Sequence, residues 1–303
     1  MRRLLVPLVG LCLAACTSLA FYPTREHALT PDQIGLAYRE VDFKAADGVR
    51  LHGWFLPARP PRVGSVLFVH GNAENISTHI GSVAWLPAAG FDVLLFDYRG
   101  YGRSEGVPTL AGLHLDFEAA LDLLLDAPEF AAGNVVVFGQ SLGGALAITA
   151  LADSPNRDRV HALVVEGAFT SYRGLAREKL AGFWLTWPLQ WPLGLTIDDQ
   201  YRPIEMIGAL APMPVVVIQG EADQIVPPHH GLALFEAAGE PKALWLVPAT
   251  GHIQAFAQPE IRARLRNYLH SVLDDPGVLT ERSSSGSREA GTVAPHAAPG
   301  GPL

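Results

Sequence analysis

The residues with the most specific chemistry are Gly139-Gln140-Ser141-Leu142-Gly143. An apolar run at 135–138 precedes them and a helical pattern over 142–151 follows. A serine hydroxyl is a weak nucleophile until a base takes its proton. To reach substrate it must project from a tight strand-to-helix turn, and glycines two positions either side leave room for a strained backbone. The helix that follows aims its N-terminal amides and positive dipole end at any oxyanion. The chemistry implied is acyl transfer, which also needs a base, an acid to orient the base, and two oxyanion donors. Of eleven histidines, His252 follows Gly251, between the last apolar run and the last helical pattern.

The elements that must position these groups are legible as alternating patterns. Residues 41–43 and 49–56 predict an antiparallel pair turned at Asp47-Gly48, a hairpin dipeptide. Short β-branched runs at 66–69, 93–96, 135–138, 163–165, 215–218 and 244–247 predict buried parallel strands. Helical spacing of apolar residues appears over 110–125, 142–151, 231–238 and 259–273. A hairpin followed by repeated strand–helix units predicts an α/β fold with a mostly parallel central sheet flanked by helices. Ligands of such sheets sit beyond the carboxyl ends of the strands.

The motifs His70-Gly71-Asn72-Ala73, Asp97-Tyr-Arg-Gly100-Tyr-Gly102-Arg-Ser104, Gly139-Gln-Ser141-Leu-Gly143, Gly220-Glu-Ala-Asp223-Gln-Ile-Val-Pro227 and Gly251-His252 occur in that order. Together they resemble the α/β-hydrolase superfamily, in its monoacylglycerol-lipase-like and serine-aminopeptidase-like branch. The resemblance implies Ser141 as nucleophile, Asp223 as acid and His252 as base. Glu221 stands early for a loop that must turn back to the histidine. Asp198 and Asp199 follow no strand and read as capping or solvated groups. His70 is expected to hold the oxyanion loop. His229 and His230 start a helix and, with no acidic or cysteine partner at ligand spacing, are poor metal ligands. The oxyanion donors are expected to be the N–H of Leu142 and that of Asn72 or Ala73. The stretch from Arg99 to Ser104 lacks the Walker lysine and the dinucleotide spacing, so no nucleotide cofactor is implied, and no metal.

Residues 169–206 interrupt the alternation, and the resemblance makes them a cap over the site. Phe183, Trp184, Trp187 and Trp191 within it fit three roles: lining an acyl pocket, dipping into a membrane, or packing the cap.

At 49% hydrophobic and 17% charged residues, the chain has ample material for a core. A net charge of −8 argues against a nucleic-acid partner. Arg2, Arg3 and the apolar stretch 4–15 read as a signal segment too short to span a bilayer. It ends Leu13-Ala14-Ala15-Cys16, which resembles the bacterial lipoprotein box with Cys16 as the lipidated residue; an ordinary secretory signal is the alternative. Thr17 in place of Asp leans the resemblance towards the outer membrane of a cell that has one. The other cysteine, Cys12, lies inside the signal, so the mature domain would hold no thiol nucleophile, thiolate metal site or disulfide. Residues 16–36 read as a tether, 37–275 as the domain and 276–303 as a disordered tail. The expected activity is hydrolysis of carboxylic esters or thioesters by a lipid-anchored envelope enzyme. The rivals are a peptidase or amidase with the same triad and a non-catalytic binding protein. A dehalogenase or epoxide hydrolase would carry Asp in place of Ser141.

Overall fold

The structure is a computed structural model that describes residues 21–127, 130, 133–182 and 184–274. The expected signal segment with Cys16, and the expected tail, lie outside those residues.

Eight strands form one sheet: β1 (Arg39–Lys44), β2 (Arg50–Leu56), β3 (Gly64–Val69), β4 (Phe91–Phe96), β5 (Val135–Gln140), β6 (Val160–Glu166), β7 (Val215–Gly220) and β8 (Lys242–Val247). Their spatial order is β8-β7-β6-β5-β3-β4-β2-β1. Strand β2 runs antiparallel to both of its neighbours, and every other pairing is parallel. The hairpin turns at Asp47-Gly48 as expected, with Gly48 at φ +86°.

Alternate side chains of a strand point to opposite faces, so continuous apolar runs serve two cores. Val135 and Val137 join Leu67, Leu94 and Val217 on one face, under helices α1 (Leu110–Asp126), α2 (Leu142–Asp153) and the later α4 (Pro228–Ala237). Val136 and Phe138 join Phe68, Leu95 and Ile218 on the other, under α5 (Pro259–Asp274) and helical turns around Ile76 and Ile80. The cap lies between β6 and β7 and contributes α3 (Tyr172–Ala181) and two short helices, Gln190–Gly194 and Pro203–Met206.

The tether expectation needs correcting from residue 21 onward. Phe21 is buried, and Tyr22–Pro23 pairs in parallel with Ala73–Glu74. Asn75 Nδ2 donates to the Thr24 and Glu26 carbonyls, and the His27 ring bonds Asp97 at 2.8 Å. Local side-chain and backbone partners hold this segment, which needs no hydrophobic period.

The Asp97–Ser104 loop ties neighbouring elements together. Gly102 has φ +44°, and a Cβ there would overlap the Asp97 carboxylate. Arg99 is buried and bonds Asp116 on α1 through Nη2 at 2.8 Å and Asp47 in the hairpin through Nη1 at 2.7 Å. Three elements therefore meet on one guanidinium. Removing one member of a buried pair strands the other charge, at about 3–5 kcal/mol. Asp116→Ala should lower the free energy of urea unfolding by about that much; an unchanged midpoint would show that Arg99 finds water instead.

Candidate active site

Ser141 sits at the carboxyl end of β5 with φ +53° and ψ −117°, outside the regions a serine prefers. Neighbouring backbone holds it there. Its N–H donates to the Glu166 carbonyl at 2.8 Å. A Cβ at Gly143 would stand 2.0 Å from the Val69 carbonyl oxygen, and one at Gly139 would stand 2.5 Å from that of Gly143. Only glycines let α2 start this close to β3 and β5.

Asp223 follows β7, and its Oδ2 accepts from His252 Nδ1 at 2.7 Å. Its Oδ1 accepts from the N–H groups of Ile225 and Val226, each at 2.8 Å. Burial works to raise this carboxyl, but the His252 bond and these backbone donors hold it below the ordinary carboxylate value. The His252 ring lies over Gly167 (φ +60°), where a Cβ would stand 3.2 Å from its Cε1. Gly167 directly follows the residue that holds Ser141. The structure thus brings the three sequence-selected residues to one edge of the sheet. Among the described residues the Ser141 hydroxyl makes no hydrogen bond to His252; catalytic contacts of this kind often tighten only with substrate.

The competing acids have other partners. Asp199 accepts from Ser171 Oγ and the Arg173 N–H at the start of α3, Asp198 accepts from the Gln200 N–H, and Glu221 is exposed. His70 is fully buried, stacks on Tyr98 at 4.1 Å and donates from Nδ1 to the Gly71 carbonyl at 2.7 Å. Burial pushes it down to about 3, so it stays neutral and buttresses the loop. In that loop Asn72 Oδ1 accepts from Tyr101 Oη at 2.8 Å. Asn72 lines the same cavity as Ser141 and Leu142, whereas Ala73 is absent from its wall.

A family model described as serine aminopeptidase, S33, matches residues 60–192. An α/β hydrolase domain-containing protein of Arabidopsis thaliana, WAV2, is 32% identical over 244 residues, 76% of this chain and 78% of that one. The chain belongs to the α/β-hydrolase family. The YfhR protein of Escherichia coli O157:H7 is 34% identical over 241 residues, 77% of this chain and 81% of that one. Among solved structures, an esterase of Pyrococcus furiosus superimposes with a TM-score of 0.68 at 22% identity, covering 84% of this chain and 98% of that chain. An esterase of Thermogutta terrifontis gives 0.57 at 20% identity over 78% and 99%. At such identities the overlay establishes the shared fold.

The cavity of this α/β-hydrolase measures about 510 Å³, within the range for small-molecule sites. Phe21, Leu110, Phe169, Leu175, Leu193 and Ile225 are among its walls, with Ser141 and Leu142 at its floor. Lys179 is the single charged side chain among the described lining residues, and its Nζ donates to the Gln224 carbonyl beside the acid. None of the three described cap tryptophans lines the cavity, so their pocket-lining role is corrected; Trp184, Trp187 and Trp191 are 78%, 60% and 61% exposed. Phe183 lies outside the described residues.

His229 and His230 acquire an acidic partner that the sequence did not reveal. Glu178 on α3 lies 3.2 Å from His229 Nε2 and 3.3 Å from His230 Nε2. These atoms lie close enough together for an ion. However, the Thr170 N–H donates to His230 Nδ1 at 3.3 Å, which leaves the ring proton on Nε2. That tautomer donates to Glu178 and joins cap to body. In the other close group, His27 Nε2 and His52 Nδ1 both face Asp97 Oδ2. Their remaining ring nitrogens are buried without acceptors, a poor outer shell for metal-ligating imidazoles.

Sequence reasoning missed Glu166. It is 2% exposed at the end of β6. Its Oε2 accepts from Gln140 Nε2 at 2.5 Å and its Oε1 from the Ala255 N–H at 2.8 Å, while its carbonyl takes the Ser141 N–H. One residue thus ties the nucleophile turn to the histidine loop. Its one sequence signal is an acid closing an apolar strand. Burial raises its carboxyl to about 7. The ionised form accepts from both partners; as the pH falls through about 7 it gains a proton and one acceptor is lost. Hydrolysis should therefore fall on the acid side more steeply than a single ionisation allows. Glu166→Gln, which cannot titrate, should restore a one-proton limb. Log kcat/KM against pH for both proteins decides this, and equal steepness would remove Glu166 from the titration.

Proposed function

We propose that this α/β-hydrolase is a serine hydrolase of carboxylic esters or thioesters, working through an acyl-enzyme on Ser141. The observation that supports it most is the strained Ser141 backbone at the floor of an apolar cavity, beside a His252 already paired to Asp223. In the reaction His252 takes the Ser141 proton and the oxygen attacks the substrate carbonyl. Asp223 holds Nδ1–H, which keeps Nε2 free as base and stabilises the imidazolium. The N–H of Leu142 and that of Asn72 receive the oxyanion; the cavity wall favours Asn72 over Ala73. His252 then protonates the leaving group, and water releases the acyl group.

The cavity favours an ester over an aminopeptidase substrate. A free amino terminus needs a carboxylate to hold its ammonium, and the charge on the described wall is the Lys179 cation. An apolar acyl chain meets leucine, isoleucine and phenylalanine instead. A decayed, non-catalytic descendant would have little reason to keep the strain at Ser141. A lipid on Cys16 would hold the enzyme at the cell envelope.

A fluorophosphonate should label Ser141 alone. Ser141→Ala should abolish labelling and lower ester turnover by roughly 10⁴-fold or more, with an unchanged melting temperature. Labelling that survives in the variant would place the nucleophile elsewhere. Each added acyl methylene should raise kcat/KM about fourfold until the cavity is full, since burying one is worth ~0.8 kcal/mol. Equal rates on acetyl and octanoyl p-nitrophenyl esters would contradict an acyl pocket.

A further inference from the structure

Residues 180–197 contain no Asp, Glu, Lys or Arg, and they lie between Lys179 and Asp198. Within this stretch Trp184, Leu185, Trp187, Leu189, Trp191 and Leu195 are 78%, 59%, 60%, 46%, 61% and 69% exposed. Single exposed apolar side chains are ordinary on a soluble protein; six within twelve consecutive residues make a patch that calls for a partner. The patch adjoins the cavity, because Leu193 from the same stretch is part of the cavity wall. Phe21 and Tyr22, where the described chain begins, line that same cavity.

We propose that this stretch of the cap is a docking surface for a lipid bilayer, which seats the mouth of the cavity on the membrane. Tryptophan and leucine on a stretch free of charged residues are the side chains that settle at the boundary between headgroups and acyl chains, and the Arg177 guanidinium stacked on Trp191 suits an anionic headgroup. The length of the tether points to the same occupant. Four residues lie between Cys16 and Phe21, so the five steps from one to the other reach at most about 18 Å when fully extended. A lipid on Cys16 therefore keeps the Phe21 side of the cavity within that distance of the bilayer. This second argument rests on the proposed lipidation; the exposure of the patch does not. The substrate then enters from the lipid phase, consistent with the apolar wall behind the patch.

Tryptophan emission of the full chain tests the proposal directly. Of the six tryptophans, Trp54 and Trp245 are buried in the body and Trp85 is half-buried against Phe256, so the three exposed cap residues dominate any response to lipid. The protein is placed on phosphatidylcholine–phosphatidylglycerol vesicles with brominated or plain acyl chains. Bromine should quench the emission, and plain vesicles should shift it to shorter wavelength. Leu185→Glu combined with Leu195→Glu should abolish both effects. Neither residue lines the cavity, and neither disturbs the stack of Arg177 on Trp191, so turnover of a soluble short ester should be unchanged. Replacing Trp184, Trp187 and Trp191 with Ser should remove the quenched component itself. No bromine quenching of the wild type, or quenching that persists in the Leu185→Glu/Leu195→Glu protein, overturns the proposal. So does a blue shift without lipid that accompanies a dimer in sedimentation, which would make a second copy the occupant. Fluorophosphonate labelling of the same samples reports the nucleophile separately, so failure of the surface and failure of the hydrolase reading remain distinguishable.

Discussion

Everything at this site depends on a close approach of two backbones. The first turn of α2 lies so near the end of β3 that a Cβ on Gly143 would overlap the carbonyl oxygens of Val69 and His70. That approach brings the start of α2, at Leu142, against the loop that begins at His70. It also forces Ser141 to φ +53°, a conformation that needs surrounding structure to sustain it. Strands buried on both faces supply that structure, because the elbow rests on the middle of a sheet with apolar cores above and below.

The remaining parts hold loops to this fixed point. Glu166 links the turn to the segment after His252, and Asp223 fixes the imidazole from the neighbouring strand. On the other side, Tyr98 donates to the His70 carbonyl at 2.6 Å and Tyr101 holds Asn72, so the Asp97–Ser104 loop buttresses the His70–Asn72 loop. The N-terminal segment adds a third support, since the Tyr22 N–H donates to Asn72 Oδ1 at 3.3 Å. The cap is attached differently. It reaches the body through polar contacts of α3, Glu178 with His229 and His230 and Lys179 on the Gln224 carbonyl, and through apolar packing of Tyr172, Leu175, Tyr201 and Ile204 on the core.

The sheet was legible because doubly buried strands are short β-branched runs, and such runs stand out between helical patterns. Most proved two to four residues longer than the apolar run, as with Gly64–Val69 against 66–69, since ladder hydrogen bonds continue through small and polar residues such as Gly64 and Ser65 that carry no apolar signal. Ser141, Asp223 and His252 were legible because the turn chemistry requires particular neighbours. Glu166 was not, because a buried acid and a solvated one are the same letter until the fold buries it. The docking of residues 21–36 was hidden for a related reason: single side-chain and backbone bonds hold it, and these leave no period. The cap tryptophans were ambiguous because an aromatic cluster has the same composition inside a core or on a surface.

The central claim is that Ser141 carries the acyl group between two chemical steps. Rapid mixing of the enzyme with p-nitrophenyl octanoate, followed by acid quench and peptide mass analysis, tests it most directly. A burst of one nitrophenol per chain, with the octanoyl mass on the peptide containing Ser141, is the predicted result. Steady turnover with no burst and no acyl adduct, or an adduct on another residue, would contradict it.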